Sequence, residues 1–213
     1  MEAFSLERHR MVEEQIAQRG LRDPNLLSSF EEVPRHLFVP ENSWYAAYDD
    51  TPLPIGFGQT ISQPYIVALM TNLLQLTGED RVLEVGTGSG YQAAILSRLA
   101  AEVHTIEFLP ELAIRAGALL RGLEYSNIHV HVGDGSLGWL EAAPYPAIIV
   151  TASAPKVPDP LREQLSDGGR LVLPVESHRV QLLKVLTRRG DEFVEEVITS
   201  VAFVPLRGKF GHK

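Results

Sequence analysis

The sequence predicts one doubly wound α/β domain, and three observations carry the prediction. Short apolar strands alternate with helices from Gln63 onward, which implies a parallel sheet. A glycine-rich turn, Gly86–Gly90, follows one of those strands and opens a helix. A chain of 213 residues holds one sizeable core and is too short for two ordinary domains. The expected organisation is a single domain over 1–213. Residues 1–63 form its helical and loop region, and 64–213 its α/β core.

The elements run in order along the chain. Leu6, Met11, Val12, Ile16 and Ala17 recur among charges over residues 6–20, an amphipathic helix closed by Gly20. A second helix is expected from Asn25 to Glu32, and Pro34 and Pro40 break the segment after it. Residues 41–63, rich in Tyr, Pro and Gly, read as irregular, and a loop that long is usually functional. Pro64 suits a first helical turn, and Ile66, Val67, Met70, Leu73 and Leu74 continue with helical spacing. Strands are then expected at Arg81–Val85, Val103–Ile106, Ile128–Val132, Ala147–Val150 and Arg170–Leu173, the last preceded by the breaker pair Gly168-Gly169. Helices are expected at Tyr91–Leu99, Glu111–Leu123 and Leu161–Leu165. Gln181–Thr187 and Glu192–Val201 alternate in period two around Arg189-Gly190-Asp191, a closing antiparallel hairpin.

Composition narrows the function. Acidic residues number 27 against 19 basic, for a net charge of −8, and no Lys/Arg run offsets the repulsion of phosphates. Nucleic acid is therefore not an expected partner. Cysteine is absent, which removes disulfides, thiolate metal sites and cysteine nucleophiles together. The charged N-terminal segment lacks a signal-peptide core, and no apolar run approaches the ~20 residues that span a bilayer. A cytoplasmic protein without a membrane partner is expected. His129 and His131 share one strand face, but no third ligand is apparent, so no metal is expected.

The turn reads Val82-Leu83-Glu84-Val85-Gly86-Thr87-Gly88-Ser89-Gly90. Its glycines let backbone N–H groups approach a ligand at a helix N-terminus. A dinucleotide fingerprint would place its third glycine at Tyr91, and no Gly-Lys-Ser/Thr follows for a P-loop. An ordinary glycine-rich turn would look the same in isolation. Two acids argue otherwise. Glu107 ends the second strand ~20 residues after the loop, where a carboxylate can accept both ribose hydroxyls. Asp134 ends the third strand in Val132-Gly133-Asp134-Gly135, placed for a donor such as an adenine amino group. The combination points to an adenosyl cofactor with a carboxylate end, S-adenosylmethionine, held by Gly86, Thr87, Gly88, Ser89, Glu107, Asp134 and Gly135. The fold class is then a Rossmann-like S-adenosylmethionine-dependent methyltransferase sheet, with N-terminal helices and a C-terminal hairpin.

Elimination narrows the methyl acceptor. Cytosine C5 methylation needs a cysteine. The Asn/Asp-Pro-Pro-Tyr turn of amino-group methyltransferases is missing, replaced by Thr151-Ala152-Ser153-Ala154-Pro155. The remaining unusual segment contains Gly58-Gln59-Thr60-Ile61-Ser62-Gln63-Pro64. There the chain resembles the protein-L-isoaspartate O-methyltransferases, whose Gly-Gln-Thr-Ile-Ser-x-Pro signature this is. The resemblance continues through Arg19–Asp23, Val33–Pro40, Val82–Ala94, Asn127–Trp139, Gln164–Pro174 and Phe203–Leu206. It implies methyl transfer to the free α-carboxylate of L-isoaspartyl residues in damaged proteins and peptides, leading through a succinimide to normal aspartyl. The product would be S-adenosyl-L-homocysteine and the enzyme a monomer. The resemblance makes Ser62 the catalytic-site residue, with Thr60 and Gln63 lining the same pocket. A plainer reading of Ser62 is an N-cap for the helix at Pro64. Three departures stand out. Pro146 replaces an Asp, Ser153 an Ala, and Glu124 a helix-terminating Gly whose role Gly122 is expected to assume. Alternatives are a methyltransferase of the same fold acting on RNA or a small molecule, and a non-catalytic cofactor-binding subunit. An NAD-dependent oxidoreductase is disfavoured by Tyr91.

Overall fold

The computed structural model describes residues 4–212; Met1–Ala3 and Lys213, the ends of the expected 1–213 domain, lie outside it. The N-terminal helix begins as α1 (Ser5–Arg10), widens to a π-turn over Met11–Ile16 and tightens over Ala17–Arg19. Gly20, with φ 98°, ends it, as the sequence led one to expect. Helix α2 (Pro24–Glu32) is capped by Asp23, whose carboxylate accepts from the Leu26 N–H at 2.8 Å.

Residues 41–63 are more ordered than their composition suggested. They hold a two-stranded hairpin, β1 (Leu53–Gly56) and β2 (Gln59–Ile61). Its two-residue turn is Phe57-Gly58, both with positive φ (55° and 70°), the backbone that matches strand twist in tight hairpins. Strands of four and three residues, with Pro54 inside the first, are too short to show a period of two. Helix α3 (Pro64–Leu74) then leads into the sheet.

The remaining elements are β3 (Arg81–Val85), α4 (Tyr91–Ser97), β4 (Glu102–Glu107), α5 (Pro110–Gly122), β5 (Ile128–Val132), β6 (Tyr145–Val150), α6 (Asp159–Glu163), β7 (Leu165–Ser177), β8 (Val180–Arg189) and β9 (Glu192–Val201). They build one seven-stranded sheet in the order β5-β4-β3-β6-β7-β8-β9. Pairing is parallel from β5 to β7 and antiparallel between β7, β8 and β9. The chain therefore reverses direction of winding between β3 and β6. A doubly wound sheet opens a crevice at such a point, beyond the carboxyl ends of the strands.

Two expectations need correction here. The helix expected over Leu161–Leu165 is Asp159–Glu163, and Leu165 already pairs with Tyr145 as the first residue of β7. Gly168-Gly169 lie inside that long strand instead of before it, since β7 runs on past Arg170–Leu173 to pair with β8. Apolar layers cover both faces. Ile95, Leu96, Leu112 and Leu120 pack on one, and Leu161, Leu171 and Tyr145 on the other.

Candidate active site

At the carboxyl ends of β3, β4 and β6 lies a cleft of ≈ 880 Å³, including space open to solvent at its mouth. Gly86, Thr87, Gly88, Ser89, Glu107 and Gly135 all line it. Gly86 has φ 101°, and a Cβ there would overlap Thr151 Oγ1, so only glycine lets the loop turn so close to β6. The Thr151 hydroxyl donates to the Gly86 carbonyl at 2.7 Å and the Val85 carbonyl at 3.1 Å. That bond ties the loop to the end of the neighbouring strand.

Glu107 is buried at the end of β4. Its Oε2 accepts from the Gly88 N–H at 2.8 Å and its Oε1 from the Leu109 N–H at 3.0 Å. Each carboxylate oxygen keeps a second lone pair, so the group is held rigidly and can still accept two further donors. Gly135 packs tightly, for a Cβ would meet Val85 Cγ1 at 2.6 Å. Asp134 stands apart from these residues. Its Oδ1 accepts from the Ser136 N–H and hydroxyl, at 3.0 and 2.6 Å, and its Oδ2 accepts from the Lys209 N–H at 2.7 Å. It fastens the C-terminal segment, whose residues Phe203–Arg207 form one wall of the cleft.

A second groove adjoins the first, lined by Pro52, Thr60, Gln63, Val201 and others. Thr60, Ser62, Thr151, Phe203 and Val204 border both. Ser62 thus sits at the junction. It is not the N-cap of α3; Gln63 holds that position, with no side-chain cap bond. The Ser62 hydroxyl makes no hydrogen bond to another described residue, whereas its carbonyl accepts from Arg35 Nη2 at 2.7 Å.

Arg35 is fully buried. Its Nε donates to the Ala47 carbonyl at 2.8 Å, and its guanidinium lies 4.9 Å from the centroid of the Tyr91 ring. Desolvation lowers its pKa, against the partly opposing effect of Tyr91. Tyr91 itself is enclosed by Phe30 and Phe38, so the position that disfavoured a dinucleotide is a core anchor.

Sequence reasoning assigned no role to Arg35 or Glu84. Glu84 is wholly buried in β3, and neither of its oxygens has a hydrogen-bond partner among the described residues. Desolvation raises its pKa to about 8. Proximity to the Thr105 hydroxyl, which is itself bonded to Thr87 at 2.6 Å, pulls back, and the Glu107 carboxylate adds to the rise. The available signal was an acid set among the apolar Val82, Leu83 and Val85 of β3.

A family model described as protein-L-isoaspartate(D-aspartate) O-methyltransferase matches residues 6–211. The chain belongs to the protein-L-isoaspartate O-methyltransferase family. Within that family, a Methanoregula boonei protein is 58% identical over 96% of this chain and 94% of its own length. One from Roseiflexus sp. is 54% identical over 98% of this chain and 94% of its own. A solved protein-L-isoaspartate O-methyltransferase superposes with a TM-score of 0.87 at 28% identity, over 96% of this chain and 67% of that one. A Plasmodium falciparum structure, described as such an enzyme in complex with S-adenosyl-L-homocysteine, superposes with a TM-score of 0.81 at 25% identity, over 93% and 98% of the two chains. The chain is accordingly an S-adenosylmethionine-dependent methyltransferase.

The three departures from the family's pattern now have physical settings. Glu124 takes the left-handed conformation itself, with φ 62°, so Gly122, the last residue of α5, does not assume that role. The Glu124 N–H bonds the Arg121 carbonyl and the Tyr125 N–H the Leu120 carbonyl, the paired bonds of a Schellman helix end. Pro146 sits near the start of β6, at a register shift between Tyr145 and Ala147, where a missing donor is tolerated. Ser153 is buried, and its backbone bonds Val204 and Leu206; nothing in the structure explains its hydroxyl.

Proposed function

We propose that this chain methylates the free α-carboxylate of L-isoaspartyl residues in damaged proteins and peptides, the step from which a succinimide and then normal aspartyl form. The single observation that carries the reading is the place of Ser62, whose unbonded hydroxyl stands where the glycine-loop cleft meets the adjoining groove. Gly86, Thr87, Gly88, Ser89, Glu107 and Gly135 would then hold the cofactor, and Asp134 keeps the C-terminal wall of the cleft in place. Thr60 and Gln63 line the substrate side. Arg35 is a positioning residue that sets the Ser62 backbone.

A carboxylate with a pKa near ~4 is ionised at neutral pH, so no strong base is needed. The cofactor supplies a methyl group on a sulfonium sulfur and leaves as S-adenosyl-L-homocysteine once the carboxylate oxygen has taken the methyl. Charge disappears as an anion meets a cation, so a dry pocket helps more than added charge. The protein's task is orientation, which can supply up to ~7–11 kcal/mol. Ser62 donates to the carboxylate, and the Phe203–Arg207 wall limits water. Extended substrate backbone along the groove by Val201–Val204 would allow many flanking sequences.

The proposal includes a monomeric, cytoplasmic enzyme with no nucleic-acid or membrane partner. The net charge of −8 argues against a nucleic-acid partner, and no helix among the described residues is long and apolar enough to cross a membrane. The test is the bond formed. Label carried from cofactor to an isoaspartyl peptide should be released as methanol in mild base, as an ester requires. Base-stable label would refute carboxylate methylation.

A further inference from the structure

Strand β4 and its edge neighbour β5 carry, outside the lining of the cleft, side chains the proposed reaction does not use. Strands β4 and β5 run parallel, with His104 opposite His129. Residues two apart in a strand share a face, so Glu102, His104, His129 and His131 stand together. The sequence showed only the pair on β5; the missing members come from the neighbouring strand. Glu102 Oε1 lies 3.2 Å from His104 Nε2 and 3.2 Å from His129 Nε2, and the three donor atoms all lie within 4.8 Å of one another. Two ligands held at ~2.0–2.1 Å by a tetrahedral ion stand about 3.3–3.4 Å apart. Two of the three edges therefore already have coordination spacing.

The surroundings are those of a ligand set. His104 is only 8% exposed, and its Nε2 faces the Glu102 oxygen with no other polar partner among the described residues. Its Nδ1 lies 3.1 Å from His131 Nε2. With the proton on Nδ1 and donated to His131, the Nε2 lone pair faces the Glu102 oxygen, and a cation between them relieves the repulsion. His131 is held in turn by stacking on Trp139, centroids 3.9 Å apart. Arg81 Nε grips the other Glu102 oxygen at 2.6 Å, which leaves Oε1 to the imidazoles.

We propose that Glu102, His104 and His129 bind a divalent transition-metal ion, Zn²⁺ above all, with His131 supporting His104 and a fourth position open to solvent. Two imidazoles and a carboxylate suit Zn²⁺ and its neighbours in the first row. Ca²⁺ and Mg²⁺ want all-oxygen shells and are excluded. The ion would pin edge strand β5 to β4. Glu102 and Glu107 bracket β4, about 16 Å apart at strand rise, so the ion adds stability without entering methyl transfer.

The test is calorimetric titration of untagged, chelator-treated protein with ZnCl₂. One equivalent should bind with a Kd of about 1 µM or tighter and raise the melting temperature as Zn²⁺ concentration rises. His129→Ala, at an exposed position, and Glu102→Gln should each weaken binding at least about 10-fold, and His131→Ala by about 10-fold or more. Both ligand variants should keep the circular dichroism spectrum and methyl-transfer rate of the parent. Co²⁺ should give visible absorption bands that His129→Ala abolishes. Absence of saturable binding below about 100 µM, or equal binding by the parent and both ligand variants, would overturn the site.

Discussion

Glu84→Gln should remove a pH dependence that one buried carboxyl imposes on the whole fold. Its pKa is raised from 4.5 to about 8 by burial, so the folded protein keeps the group neutral through pH 7. A raised folded pKa means stability that is full below about 4.5 and is lost as pH climbs through about 8. At about 1.36 kcal/mol per pH unit across that interval, the loss reaches about 5 kcal/mol, of which about 3 kcal/mol is already felt at pH 7. This is a large share of a stability of ~5–15 kcal/mol. His104 and His131 act in the opposite sense, because burial lowers their pKa values and they weaken the fold as pH falls below 6.5. Both histidines are present in the variant, so the difference between the two proteins isolates Glu84. Urea denaturation from pH 5 to 9 would measure it. The parent should lose stability relative to Glu84→Gln by several kcal/mol between pH 5 and 8, with the curves parallel beyond about 9. Parallel curves across the whole range would refute the buried-acid argument.

Three other outcomes are expected. Glu124→Gly should raise stability by about 0.5–1 kcal/mol, because relief of ~1–2 kcal/mol of left-handed strain exceeds the entropy glycine adds to the unfolded chain; lower stability in urea denaturation would contradict the strained helix end. Gly86→Ala should weaken cofactor binding at least about 10-fold by calorimetry, through a positive φ and collision with Thr151 Oγ1. Thr151→Ala in the same chain should restore part of that loss, and parent-like binding by Gly86→Ala alone would remove the steric account. Ser62→Ala should cut turnover by about 10²-fold while cofactor affinity stays within about twofold; unchanged turnover would dismiss Ser62.

The doubly wound core was legible because short, largely apolar stretches such as Val82–Val85 and Ala147–Val150 alternate with helical spacing, and Gly86 and Gly133 follow two of the strands. Gly86–Gly90 and Glu107 stood out as strand ends, and the structure brings Gly86–Ser89 and Glu107 to one cleft, from which Asp134 stands apart. What escaped depends on distant pairing. The β1–β2 hairpin is too short for periodicity to register. Leu165 belongs to a strand only because Tyr145 lies beside it, a partner that local propensity cannot see. Asp134 adds the C-terminal Lys209 to its bonds through a contact across 75 positions. Arg35 and Ser62 meet through 27, and the Glu102–His104–His129 group forms only when two strands align. The resemblance marked Glu124 as standing in a glycine's place, but only the backbone shows that Glu124 itself, and not Gly122, takes the left-handed conformation.

Carboxylate repair is tested most directly with one peptide in two forms, isoaspartyl or normal aspartyl at the same position, incubated with labelled S-adenosylmethionine and this protein. Stoichiometric, base-labile labelling of the isoaspartyl peptide and none of its twin is the expected result. Equal labelling of the two, or labelling of neither by folded protein that binds the cofactor, would contradict it.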